Sequence, residues 1–313
     1  MILCVCPNPD VEHNWSVPGF HAEGVFRVQG ELLLPSGKGV NVARAIHTLG
    51  GQALCFGVLA GHTGRLVAAL AAAHGLDCRW TWVAGETRIA VAVLDPQVAE
   101  RDATLISESG PQITPGDWER LSADLLSAAQ PGGLVCFSGS FPPATPYERV
   151  EETMRTLHNL GCSVWVDSSG AGLQAALQAV AAGVKVNREE IETILGSHVC
   201  DVASARRAGE AVRAMGVGTA LVTLGEAGAV LVADQGAWVA IPPAVPRVST
   251  VGSGDAFLAG LLYGLDEGLS LPEALRCATA AGAANVRMPG GGRFRLEDYR
   301  AALSGVRVEE LTG

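Results

Sequence analysis

The sequence predicts an α/β fold in which a mostly parallel sheet is covered by helices on both faces, with a small β lid beside it. Three observations carry this. Short β-branched runs at 3–6, 53–58, 134–138, 163–167, 184–186, 220–223 and 229–232 alternate with helix-length stretches. Those stretches fall at 40–49, 65–74, 115–129, 147–160, 171–181, 189–195, 203–215 and 256–265, the rhythm of strands joined by helical crossovers. The 313 residues are 48% hydrophobic and only 17% charged, so the chain can bury a large core. Two segments break the rhythm: 24–34, and 79–82 with 87–94 joined across Ala84-Gly85-Glu86. They read as half-exposed strands and a hairpin outside the main sheet. The lid so formed spans about 12–34 and 79–105 and rejoins the core at both ends, so 1–313 reads as one domain.

Charge and cysteine usage exclude several classes. Lys plus Arg number 22 against 32 Asp plus Glu, a formal charge of −10 with no basic run, so no nucleic-acid partner is expected. The segment Met1-Ile-Leu-Cys-Val-Cys-Pro7 lacks a basic n-region and breaks at proline, so it reads as a first strand and not as a signal peptide. No uncharged apolar run reaches the roughly 18 residues of a membrane span, and a cytoplasmic chain is expected. The eight cysteines, at 4, 6, 55, 78, 136, 162, 200 and 277, form no C-x-x-C pair and have no histidine at zinc spacing. They read as reduced core residues.

The stretch Ser249-Thr-Val-Gly-Ser-Gly-Asp-Ala-Phe257 is the most informative motif. Gly252 and Gly254 let the backbone turn its N–H groups inward, and the helix at 256–265 points its positive end at the same place. Anions collect at such a turn. Asp255 is then either a general base that takes a proton from an attacking hydroxyl, or a first-turn helix cap.

Other constellations are less specific. Ser36-Gly-Lys-Gly-Val-Asn-Val-Ala-Arg-Ala45 has no Ser or Thr after Lys38-Gly39 and no strand feeding directly into it, so it is not a Walker loop. It reads as a place where Asn41 and the backbone meet a polyhydroxylated ligand, or as a plain helix start. Ser169-Gly-Ala-Gly-Leu-Gln-Ala175 imitates a dinucleotide fingerprint but lacks the ribose acid further on. Asn187 and Glu190 share one side of a helical turn, where they could hold magnesium-bound waters or form a capping box. Arg88, in Glu86-Thr-Arg88, could meet a phosphate bidentately or merely be solvated, and Ser138-Gly-Ser-Phe-Pro-Pro143 offers Ser138 and Ser140 to oxygens or simply turns the chain.

Five of these elements in one order, S-G-K-G-V-N-V-A-R-A, T-R-I, S-G-S-F-P-P, K-V-N-R-E-E and S-T-V-G-S-G-D, resemble the PfkB carbohydrate kinases of the ribokinase-like superfamily, in particular their phosphosugar branch. The resemblance runs from about 3 to 294 and implies a doubly wound sheet with a β lid. It implies a phosphotransferase that uses ATP and Mg2+ on the alcohol group of a ketohexose phosphate, of the 1-phosphofructokinase or tagatose-6-phosphate kinase type. The alternatives are 6-phosphofructokinase, a kinase of an unphosphorylated sugar or nucleoside, and a non-catalytic sugar-phosphate sensor. Carried over by motif, the catalytic base falls on Asp255 and the anion hole on Gly252, Ser253 and Gly254. The magnesium-linked pair falls on Asn187 and Glu190, acting through water, with Lys185 beside the nucleotide phosphates. Thr223, Gly225, Gly228 and Asn285 match the nucleotide pocket. Gly37, Lys38 and Asn41 match the sugar loop, and Arg88, Ser138 and Ser140 the groups near the sugar phosphate.

Departures from the family pattern cluster on the acceptor side. Asn8-Pro-Asp-Val-Glu12 places Glu12 where the family's sugar-holding aspartate stands, with Asp10 expected on the opposite face. Ser36 stands where glycine is common, and Ala90 where a polar residue is common. The apolar content of the lid strands, together with the lid packing of related kinases, implies a homodimer through the lids.

Overall fold

The computed structural model describes residues 1–98 and 103–312. The chain forms β1 (Ile2–Cys6), β2 (Asp10–Ser16) and β3 (Gly30–Ser36), then α1 (Lys38–Leu49), β4 (Ala53–Ala60) and α2 (Gly61–Ala73). Next come β5 (Asp77–Val83), β6 (Arg88–Leu94), β7 (Thr104–Ser107), α3 (Pro115–Ala128), β8 (Leu134–Ser138), α4 (Tyr147–Asn159), β9 (Ser163–Asp167) and α5 (Gly170–Gln178). They are followed by β10 (Gly183–Asn187), α6 (Arg188–Leu195), α7 (Val202–Ala214), β11 (Thr219–Thr223), β12 (Ala229–Ala233) and β13 (Gly236–Ile241). Beyond these lie α8 (Ser253–Asp266), α9 (Leu271–Asn285), α10 (Leu296–Gly305) and β14 (Arg307–Glu310).

Ten strands make the main sheet in the order β14-β13-β12-β11-β10-β9-β8-β1-β4-β5. From β5 to β11 all neighbours are parallel, and β12 to β14 add an antiparallel edge. The parallel strands are short apolar runs such as Ile-Leu-Cys-Val-Cys, buried on both faces as helical crossovers require. Alternation along β1 assigns the faces: Ile2, Cys4 and Cys6 pack with α1, α8 and α9, whereas Leu3 and Val5 pack with α3 and α4. In one row across four strands, Cys136, Cys4, Cys55 and Cys78 are register partners, all free thiols.

β1 is hydrogen-bonded to both β4 and β8, and the chain runs outward from it in opposite directions. That reversal opens a crevice at the carboxyl ends of the strands, where folds of this kind bind ligands. Asn8, Ser138, Asp167, Asn187 and Thr223 all lie at those ends.

The second sheet has the order β3-β2-β6-β7. One face seats Val11 and Leu33 against Leu59 and Val67 of β4 and α2. The other carries the buried Asp10, Glu12 and Asn14.

Three expectations need correction. The strand at 79–82 is not in the lid: β5 pairs in parallel with β4 at the edge of the main sheet, and Trp80 packs on the core. A half-buried edge strand carries the same apolar alternation as a lid strand, so the pattern cannot tell them apart. The expected hairpin therefore does not exist, since β5 and β6 belong to different sheets. Residues 24–29 are irregular, and β2 is the strand that pairs with β3 instead. Within the expected lid range of 79–105, positions 99–102 lie outside the described residues.

Candidate active site

Gly252 is the N-cap of α8 with φ of 75°, a left-handed conformation that glycine adopts without strain. A Cβ there would lie 2.2 Å from the Gly291 Cα, so a second glycine segment closes over the turn. At Gly254 a Cβ would lie 2.9 Å from the Lys185 Nζ. The Ser253 amide donates to the Thr250 carbonyl and the Asp255 amide to the Gly252 carbonyl, both at 3.1 Å, so it is the Gly254 amide, the positive end of α8 and the Lys185 ammonium that face one small volume, an arrangement suited to an anion.

Asp255 sits in that first turn, 5% exposed, and its Oδ2 accepts from the Asn41 Nδ2 at 2.9 Å. Burial pushes its carboxyl up to about 7, against the pull of Lys38, with Asp167 adding to the rise. Asn41 is itself fixed by Arg44, whose Nη1 donates to the Asn41 Oδ1 at 2.7 Å and to the Gly291 carbonyl at 2.6 Å. Arg44 thus ties α1 to the glycine segment that closes the turn.

Asp167, fully buried at the end of β9, bridges two lysines: its Oδ1 is 2.8 Å from the Lys38 Nζ and its Oδ2 2.9 Å from the Lys185 Nζ. Burial alone would raise Asp167, yet Lys185 and then Lys38 hold it below the usual carboxylate range. Burial alone would lower Lys38, yet Asp167, Asp255 and Glu190 raise it. Lys38, expected in the sugar loop, is thereby drawn to the cluster around Asp255.

Asn187 and Glu190 form a reciprocal capping box on α6, with both hydrogen bonds at 2.8 Å. The other Glu190 oxygen, Oε1, lies 3.6 Å from the Lys38 Nζ. Thr223 is the register partner of Asn187 on β11, and Gly225 and Gly228 bound the short turn that follows it. Asn285, fully buried at the end of α9, donates to the Val251 carbonyl at 3.1 Å and so braces the anion turn from behind.

On the acceptor side, Glu12 is held between Asn14 (2.8 Å) and Ser36 (3.1 Å). Asp10, expected on the opposite face, shares the face of Glu12, because residues two apart on a strand point the same way. Arg88 pairs with Asp10 at 2.5 Å and donates to the Asn8 carbonyl at 3.0 Å and the Ser107 Oγ at 2.6 Å. It lines an open cavity of about 510 Å³ together with Asn8, Ser107, Ser140, Phe141 and Tyr147. Ser138, the register partner of Asp167, is fully buried and its Oγ has no partner, an unmet hydrogen-bonding capacity. Gly37 caps α1 at the inner edge of this region.

Asp10, Asn14, Arg44 and Asp167 were not singled out as site residues in the sequence. Asp167 alone carried a usable signal, as a charged residue at the carboxyl end of a buried strand.

The model of the "pfkB family carbohydrate kinase" matches residues 12–297. The chain belongs to the pfkB family of carbohydrate kinases. This pfkB-family chain is 36% identical over 280 residues to the 1-phosphofructokinase of Rhodobacter capsulatus, covering 89% of this chain and 88% of that protein. It is 35% identical over 308 residues to the 1-phosphofructokinase of Escherichia coli strain K12, covering 98% of each. Among solved structures it is similar to the tetrameric inhibited form of phosphofructokinase-2 from Escherichia coli, with a TM-score of 0.88, 27% identity and coverage of 97% and 98%. The same enzyme in complex with fructose-6-phosphate gives a TM-score of 0.88 at 25% identity, covering 97% and 98%. As a pfkB kinase the chain is an ATP-dependent phosphotransferase acting on an alcohol group of a sugar. Among the described residues no helix is long and apolar enough to cross a membrane.

Proposed function

We propose that the chain is an ATP- and magnesium-dependent kinase of a ketohexose phosphate, of the 1-phosphofructokinase type, with Asp255 as general base. The observation that carries this is the placement of Asp255: a buried carboxylate in the first turn of α8, hydrogen-bonded to Asn41, at the positive end of the helix and within the field of Lys38 and Lys185. A helix cap would not need such burial.

The reaction is an in-line transfer. The acceptor hydroxyl oxygen bonds to the γ-phosphorus of ATP, the bond from that phosphorus to the β–γ bridging oxygen breaks, and Asp255 takes the hydroxyl proton. The amides of Gly252 and Gly254 and the dipole of α8 stabilise charge on the transferred group, with Lys185 alongside, while Ser253 holds the turn in shape through its N–H to the Thr250 carbonyl. Asn41 and Arg44 keep the Asp255 carboxylate aimed. Thr223, Gly225, Gly228 and Asn285 bound the nucleotide side.

Magnesium fits the oxygen donors beside the phosphate turn. Glu190 keeps one oxygen outside its capping box and the Asn187 carbonyl keeps a second lone pair, a set suited to an ion that retains its waters. Among the described residues no three His, Cys, Asp or Glu side chains cluster as a metal site. When bound, the ion neutralises charge on the nucleotide phosphates.

Arg88, Ser138 and Ser140 favour a phosphorylated acceptor, and Glu12, Lys38 and Asn41 would hold its hydroxyls. A second reading, 6-phosphofructokinase, draws on the likeness to the enzyme solved with fructose-6-phosphate. A coupled ADP-release assay over fructose 1-phosphate, fructose 6-phosphate, tagatose 6-phosphate and fructose separates them. The highest kcat/KM is expected with fructose 1-phosphate, a preference for fructose 6-phosphate moves the assignment to the second reading, and binding without turnover makes the chain a sensor. The proposal includes a homodimer joined through the lids, whose exposed Val25, Val28, Leu105 and Ile106 leave apolar surface for a second copy.

A further inference from the structure

A buried line of hydrogen bonds runs from the lid to Asp255, and its middle link is the Ser36 hydroxyl at the end of β3. The Ser36 Oγ lies 3.1 Å from the Glu12 Oε2 and 3.2 Å from the Asn41 Oδ1. Glu12 stands on the lid strand β2, with its other oxygen taken by the Asn14 Nδ2 at 2.8 Å. Asn41 stands on α1, and its Nδ2 donates to the Asp255 Oδ2 at 2.9 Å. Asn14, Glu12, Ser36, Asn41 and Asp255 are each at most 5% exposed, so bulk water does not replace a broken link. The hydroxyl has one proton and two claimants for it. One lone pair of the Asn41 Oδ1 is filled by the Arg44 Nη1 at 2.7 Å. The Ser36 proton either fills the second, fixing the amide so that Nδ2 faces Asp255, or goes to the Glu12 carboxylate, the stronger acceptor.

We propose that Ser36 is a positioning residue for phosphoryl transfer: the division of its proton between Glu12 and Asn41 decides how firmly Asn41 holds the catalytic base, so that a lid carboxylate governs the base. The inference rests on the reading of Asp255 as that base. Lys38 from α1, Asp167 from β9 and Lys185 from β10 face Asp255, and Asp10 from β2 and Arg44 from α1 also act in its field. Burial, the largest influence, favours the neutral carboxyl, and the Asn41 bond favours the ionised one. Loosening that bond raises the pH below which the base is lost, and tightening it lowers that pH. Replacing Ser36 alters none of these charges, so it reaches Asp255 only through Asn41.

The test is the acid limb of kcat/KM for fructose 1-phosphate and fructose 6-phosphate in Ser36→Ala, in Glu12→Gln and in the double variant. Ser36→Ala should move the limb to higher pH and lower kcat at pH 8 by about 2- to 12-fold, the worth of one neutral hydrogen bond. In Glu12→Gln the new amide offers an N–H to the Ser36 Oγ, the Ser36 proton is left to Asn41, and the limb should move the other way, to lower pH. The double variant should follow Ser36→Ala, because Glu12 acts on the base through a hydroxyl that is no longer there. Ser36→Thr keeps the hydroxyl and should keep the wild-type limb. A limb unmoved in Ser36→Ala, whatever the loss of activity, overturns the inference and leaves Ser36 a packing residue. A Glu12→Gln shift that persists in full in the double variant also overturns it, since the direct field of Glu12 then accounts for the effect. If Ser36→Ala does not fold, Ser36→Gly, which also lacks the hydroxyl, carries the same test. Near-normal turnover in Asp255→Asn overturns the parent reading, an outcome distinct from a working base whose limb ignores Ser36.

Discussion

Asp255 is a carboxylate kept from full ionisation by burial and from neutrality by Lys38 and Asn41. A general base with a pKa close to the working pH accepts a proton while still being largely available, which is the compromise that Brønsted behaviour favours. The sign of its pH effect follows from that role. Only the deprotonated form can act, so kcat/KM, which reports the free enzyme, should fall as pH drops below about 7 and level off above it. Asp255→Asn should retain nucleotide and sugar binding, lose this limb, and reduce turnover by about 10² to 10⁴. A stopped assay with matched binding titrations checks both, and near-normal turnover would leave Asp255 as a cap. At this scale the sequence was informative where backbone geometry demands a residue type, as in the glycines around Asp255. It was silent on Arg44, gave Asp167 only its place at a strand end and put Asp10 on the wrong face, because their decisive partners lie on other elements and become visible only when the topology brings them within hydrogen-bond reach.

Helix α6 shows how one element can serve two ends. Its capping box satisfies the orphan amides of the first turn, so Asn187 and Glu190 would be favourable there in a protein that bound no metal. Glu190→Gln separates the two uses, since an amide oxygen still accepts from the Asn187 N–H while the charge is lost. Stability should then change little, and the magnesium concentration for half-maximal rate should rise. A titration of rate against magnesium, with thermal unfolding alongside, tells them apart, and an unchanged magnesium curve confines Glu190 to the cap. Elements were legible where burial is one-sided or complete. The parallel strands other than the edge strand β5 read clearly, as short β-branched runs buried on both faces between helix-length stretches. β2 did not, because Asp-Val-Glu-His-Asn-Trp-Ser turns carboxylates and amides toward the site and hides the apolar alternation. α9 was missed for the opposite reason: its alanines, glycine and threonine pack tightly on α8 without a marked apolar stripe.

On the scale of the whole molecule, the lid sheet has one face committed to α2 and the acceptor side committed to buried polar groups, yet β7 at its edge leaves Leu105 and Ile106 55% and 60% exposed. An isologous pairing of two lids would cover them and close on itself. Ile106→Asp should then yield monomers in light scattering and raise KM for the sugar more than for ATP, and an active wild-type monomer at micromolar concentration would refute the dimer. The thiols aligned across β8, β1, β4 and β5 have a use of another kind. Cys4 is held protonated chiefly by its contact with Cys136, and Cys55 by Cys78, with burial adding to both, so they resist alkylation while the sheet stays closed. Cys200 is exposed, Cys78 is half-buried, and Cys4, Cys6, Cys55, Cys136, Cys162 and Cys277 are buried. A chromogenic thiol reagent should therefore react at once with Cys200, and with the six buried thiols only as fast as the core opens. Saturating nucleotide should slow that second phase in proportion to the stabilisation it confers, so the row acts as a built-in clock for the lifetime of the native sheet, read without any label or engineered probe.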